Sequence, residues 1–200
     1  MSTQAETGRV NQKRRTREAI VRAARELVKT GGEVSMPLVA RAALVSEATA
    51  YRYFPDLPSL IQEALAGIWP DPADALADVR DSTDPAERIA YATEILMRGV
   101  LAYEGATRAS IGASITRPEI ARKRPGFRFG LIDEALAPLS QGTPGIDNDS
   151  LVQLKRDLAL IMSAEALFTL TDVCGLSPDD AIATAVHTAS TLTRAVTQPT

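Results

Sequence analysis

Read for periodicity, the N-terminal part of the chain places apolar residues at helical spacing. Ile20, Ala23, Ala24, Leu27 and Val28 fall on one face. They predict a helix from about Arg14 to Thr30, stopped by Gly31-Gly32. Ser35 then stands as an N-cap with Pro37 in the first turn. The helix it opens carries Leu38, Val39 and Ala42 on one side. After the short connection Leu44-Val45, Ser46 caps a third helix that runs to about Phe54. Pro55 breaks the chain, and Asp56 caps a fourth helix with Leu57, Leu60, Ile61, Leu65 and Ile68 on its apolar face, ended by Pro70 and Pro72. Residues 1–12 are polar and predict a flexible tail.

Further along, Asp84-Pro85-Ala86-Glu87 reads as a helix start, with Glu87 at the capping-box position. That helix should reach about Tyr103. Residues 105–125 stay ambiguous, punctuated by Gly105, Gly112 and Pro118. A helix is expected from Phe127 to Leu139, and residues 141–150 read as a loop. Two long helices close the chain. The first spans about Ser150 to Cys174 with Gly175 as its C′ residue, and the second opens at Ser177-Pro178 and reaches about Val196. So short a connection predicts an antiparallel hairpin.

Composition agrees with an all-α chain. Aromatic residues make up 4% of the 200 residues, so the core is built from Ala, Leu, Ile and Val. One cysteine, Cys174, and one histidine, His187, cannot make a disulfide or a zinc site within one chain. No signal-like or membrane-spanning apolar run is present, so the expected setting is the reducing cytoplasm. The net charge of −3 conceals a polarity: residues 1–60 hold 10 Lys/Arg against 6 Asp/Glu, and residues 61–200 hold 12 against 19. A basic start on an acidic body implies that one end meets a polyanion.

Three short helices, the last two joined by a tight turn, describe a helix-turn-helix. Its reading helix is SEATAYRYF (46–54), with Ala50 and Phe54 facing inward and Glu47, Ala48, Thr49 and Arg52 outward. Small side chains at Ala48 and Thr49 permit close approach to bases. Thr49 and Arg52 reach a base edge or a phosphate, and Tyr51 and Tyr53 reach a phosphate or pack beneath the helix. Ser35 and Ser46 at the helix starts, with Arg14 and Arg15 ahead of the first helix, complete the expected DNA contacts. Lys13 and Arg17 belong to the same basic run.

The stretch from Thr16 to Leu65 resembles the DNA-binding domain of TetR-family regulators. The matching residues are Arg14-Arg15-Thr16-Arg17, Val39-Ala40, Val45-Ser46, Thr49-Ala50-Tyr51-Arg52-Tyr53-Phe54 and Ser59-Leu60. Two positions depart: Leu44 stands where the family usually has glycine, and Leu57 where it usually has a phosphate-reaching lysine. The resemblance implies a helix-turn-helix domain over 13–60 and a helical ligand-binding and dimerisation domain over 61–200. It implies a homodimer on the palindromic operator of double-stranded DNA, released by a small-molecule effector. The candidate effector contacts are Trp69, Met97, Leu101, Phe127, Leu131, Met162 and Phe168, with Glu165, a carboxylate that with Asp172 lies in an apolar run. The two closing helices, about 150–174 and 178–196, are expected to pair with their symmetry mates as a four-helix bundle, with Ala181, Ile182, Ala185, Val186, Ala189 and Leu192 as the packing surface of the last helix.

Arg122, Lys123, Arg124 and Arg128 form a second basic cluster, suited to an acidic ligand or to solvent. No catalytic constellation, metal site or cofactor motif is legible. The other class left open is a helical small-molecule-binding protein or enzyme with an incidental basic N-terminus.

Overall fold

The first helix, α1 (Thr3–Lys29), begins well before the expected start. The polar residues read as a tail are helical from Thr3 on, because Gln, Ala and Glu are strong helix formers and no proline intervenes. The computed structural model describes residues 3–119, 126–140 and 146–197. Every regular element among them is a helix.

Two compact units emerge: Met1–Ile68 with Ala102–Arg124, and Trp69–Leu101 with Pro125–Thr200. The boundary expected at residue 60 falls inside the first unit, which also takes in chain from beyond residue 100.

In the first unit, α1 is followed by α2 (Met36–Ala42), α3 (Glu47–Tyr53) and α4 (Leu57–Ala64). The row Ile20, Ala24, Val28 of α1 is completely buried, packed with Val39 and Ala40 of α2, Ala50 of α3 and Leu60, Ile61 and Ala64 of α4. The inward face of α2 is Met36, Val39 and Ala40, whereas Ala42 is exposed, a shift from the expected side. Helix α4 ends at Ala64, earlier than its apolar pattern implied. The Arg25 guanidinium donates to the Ala64 carbonyl at 2.9 Å, and Gly67 turns the chain with φ +77°.

The ambiguous stretch resolves into α7 (Glu104–Thr116), which packs on α4. Gly105 is there for close approach rather than punctuation. Its N–H donates to the Gly31 carbonyl at 3.2 Å, and a Cβ would fall 1.6 Å from the Gly32 oxygen.

The second unit contains α5 (Pro72–Ala75), a 3₁₀ turn (Ala77–Val79), α6 (Pro85–Ala102), α8 (Phe127–Ala135), α9 (Ala137–Ser140), α10 (Asn148–Ile161), α11 (Ala164–Phe168) and α12 (Pro178–Thr197). Its core gathers Ile89, Ala92, Leu131, Ile132, Leu154, Leu158, Met162 and Ala189. The interior Arg88 donates to the carbonyls of Val79, Arg80, Glu134 and Ala135 at 2.8–3.1 Å and faces the Glu134 carboxylate at 3.5 Å. So fully partnered, this buried guanidinium ties three segments together.

The expected single helix over 150–174 is broken at Met162–Ser163. No proline or glycine marks the break. Ser163 makes it, donating through Oγ to the Leu160 carbonyl at 2.8 Å and accepting the Ala166 N–H at 3.1 Å. A π-helical turn over Thr169–Val173 follows, closed by Gly175 at φ +70°.

Candidate functional site

Helix α3 is a short element with opposite faces. Ala50 is buried and Phe54, its C-cap residue, nearly so, whereas Glu47, Ala48, Tyr51 and Arg52 are exposed and Thr49 half-buried. The serine before it works as read: Ser46 Oγ accepts the Thr49 N–H at 3.2 Å and donates to Thr49 Oγ1 at 3.0 Å. Ser35 sits at the N-cap of α2 with extended backbone, but its side chain makes no capping bond. The two tyrosines divide their roles. Tyr53 packs half-buried on the core of its unit beside Arg52, whose guanidinium lies 5.7 Å from its ring centre, and Tyr51 is exposed.

Beside α3 runs a concave surface lined by Gln12, Lys13 and Thr16 of α1 and by Val45, Ser46, Thr49, Arg52 and Tyr53. Two cations, three hydroxyl-bearing side chains besides Tyr53, and no carboxylate make it suited to an anionic backbone. Gln12 and Thr16 were missed in the sequence. They continue the row Ile20, Ala24, Val28 upstream, four residues at a time, where the core ends and the row turns polar. Arg14 and Arg15 are exposed on the same helix, Arg14 lying 3.6 Å from Glu18. Arg17 departs from the basic run: it grips Glu63 with both terminal nitrogens and covers the Phe54 ring at 4.9 Å, fastening α1 to α4.

The turn between α2 and α3 keeps left-handed geometry despite lacking glycine. Leu44 adopts φ +56°. Leu57 is half-buried against the core of the same unit.

Of the candidate effector contacts, the structure brings Trp69 and Phe127 together, ring centres 4.8 Å apart and inclined at 31°. Gly99 admits the indole, since a Cβ there would lie 2.5 Å from it. Leu131 and Met162 sit in the core of the second unit, and Met97 is also fully buried. Phe168 is buried and Leu101 half-buried. Glu165 is exposed in the first turn of α11, where its charge suits the helix terminus, so it is not a buried carboxylate awaiting a partner. Asp172 is exposed as well and accepts from Thr171 Oγ1 at 2.8 Å. Arg122, Lys123 and Arg124 lie outside the described residues, and Arg128 stacks on the exposed Phe129 ring at 4.8 Å. Cys174 and His187 are both exposed, and among the described residues no cluster of metal-ligating side chains occurs.

The expected dimer face on α12 is corrected most. Ala181, Ile182, Ala185 and Ala189 are buried within their own unit, because the small-residue row seats α12 on its neighbours in the same chain. The open apolar residues of the closing helices are Val152, Leu160 and Val173, all within the expected 150–174 segment, the last two 73% and 80% exposed.

The short α2, its turn and the open-faced α3 define a helix-turn-helix head. A solved structure, that of a TetR transcriptional regulator from Rhodococcus sp. RHA1, is similar to this chain with a TM-score of 0.55 and 20% identity, over 90% of this chain and 96% of that one. The fold is therefore the all-α fold of a TetR transcriptional regulator. No family model matches the chain, and no curated protein matches it. Among the described residues no helix is long and apolar enough to cross a membrane.

Proposed function

We propose that this chain is a sequence-specific, double-stranded-DNA-binding transcriptional regulator rather than an enzyme. The observation that carries the reading is α3: it buries Ala50 and leaves Glu47, Ala48 and Arg52 open beside a cleft holding Lys13. That is the disposition of a helix that enters a major groove while its flank follows the phosphates.

The chain acts as a cytoplasmic homodimer on a palindromic operator, with half-sites about one helical turn apart or slightly further. Leu160, Val173 and Val152 supply the apolar surface for the second copy. A small-molecule effector binds within the second unit near the Trp69–Phe127 pair and releases the DNA, which makes the protein a repressor. It shifts the equilibrium only by its differential affinity for the two states. Selection of duplexes from a random pool tests the proposal. Recovery of a palindrome is expected, and recovery of no sequence preference overturns it.

A further inference from the structure

A large apolar residue with φ +56° and 93% of its surface exposed is unfavourable twice over. The left-handed backbone is strained for any residue with a Cβ, and glycine would relieve it. Leu44 receives little in return from its own fold, since its side chain stands almost wholly in solvent. Its position is informative. It directly precedes Val45 and Ser46, both of which line the cationic cleft beside α3. The turn is held by the Leu44 N–H on the Arg41 carbonyl at 3.1 Å and the Val45 N–H on the Ala40 carbonyl at 2.9 Å. The leucine is thus presented on a fixed backbone at the edge of a surface that otherwise offers ammonium, guanidinium and hydroxyl groups.

Resting on the DNA-binding reading, we propose that Leu44 is an apolar DNA contact, held outward in a strained turn to pack against the nucleic acid at the rim of the cleft. DNA bound there would present apolar surface of two kinds beside its phosphates, the deoxyribose face and the thymine 5-methyl group. The polar residues of the cleft meet the charges, and Leu44 covers carbon that they cannot. Binding then recovers what the turn forfeits in stability, a pattern found where strain is kept for function.

The test is Leu44→Gly, with Leu44→Asn as a second variant that also tolerates left-handed backbone. Each is assayed for melting temperature and for affinity to a selected duplex and to the same duplex with deoxyuridine for thymidine. Leu44→Gly should melt higher, by about 2–4 °C for a chain of this length, as the strain of the left-handed backbone is relieved. It should bind the selected duplex about three- to tenfold more weakly, as expected for losing a partly buried leucine. The salt dependence should stay the same, because no phosphate contact is lost. Leu44→Asn should show the same weakening. Weaker binding of wild type to the deoxyuridine duplex, absent in the variants, assigns the contact to the methyl group, and equal binding assigns it to the sugar. Variants that bind as tightly as wild type overturn the proposal and leave DNA binding standing. Wild type that binds no duplex overturns both.

Discussion

Two alanine-bearing helices in this chain are used in opposite ways. In α3, Ala48 is exposed and Ala50 buried, and most of the helix faces solvent. In α12, Ala181, Ala185 and Ala189 form one row with a four-residue step, and the whole row is buried. Small residues let two surfaces come close in both cases. On α12 the approaching surface is the chain's own α10 and α11, whereas on α3 it is absent from the monomer. A complete row of small residues therefore reads as an internal seam, and an interrupted one, flanked by Thr49 and Arg52, as a surface kept for something else.

The strongest way to break this contrast is Ala185→Glu. It places an uncompensated charge in a site 2% exposed, at a cost of about 3–5 kcal/mol. The expected result is loss of the cooperative unfolding transition by circular dichroism. A well-folded monomer would return Ala185 to a subunit interface. Phe54→Ala comes next, since truncating a buried phenylalanine costs about 3–5 kcal/mol. It should lower the melting temperature steeply and weaken binding to every duplex alike. Arg17→Ala removes the grip on Glu63 and the stacking on Phe54, for about 1 kcal/mol. If Arg17 instead followed a phosphate, stability would stay unchanged and the salt slope of DNA binding would fall. Leu160→Lys with Val173→Asp should alter folding by no more than about 0.5 kcal/mol yet give monomers in light scattering. A dimer that persists would move the interface off these residues.

The smallest effect concerns acid. Asp147 caps α10, and hydrogen bonds from the Ser150 N–H and hydroxyl hold its carboxyl below the ordinary range. The stabilisation is complete above the ordinary carboxylate value and is lost as the pH falls through the depressed one. Asp147→Asn should flatten the melting profile below about pH 4.

Caps and periodicity made the head legible: Ser46, Asp56 and the row through Ile20 stand where their pattern placed them. What escaped was set by neighbours distant in sequence. Arg17 reads as one more cation until α4 brings Glu63 to it. Gly105 reads as a helix breaker until α7 meets the end of α1. Glu165 sits among apolar chain neighbours, which leaves its side open between a ligand and water, and the break at Ser163 starts a new helix on which it is exposed. The left-handed turn forms without a glycine, since hydrogen bonds across it fix its path and Leu44 yields to them.

The central claim is that α3 reads DNA, and Arg52→Ala tests it most directly. Arg52 is exposed, so the variant should melt nearly as wild type does. Its affinity for the selected operator should fall by about 1–3 kcal/mol with relaxed preference at one base position. A loss of similar size on scrambled duplexes would place the guanidinium on a phosphate instead. If Arg52→Ala and Thr49→Ala both bind the operator like wild type, α3 is not the reading helix and the account is contradicted.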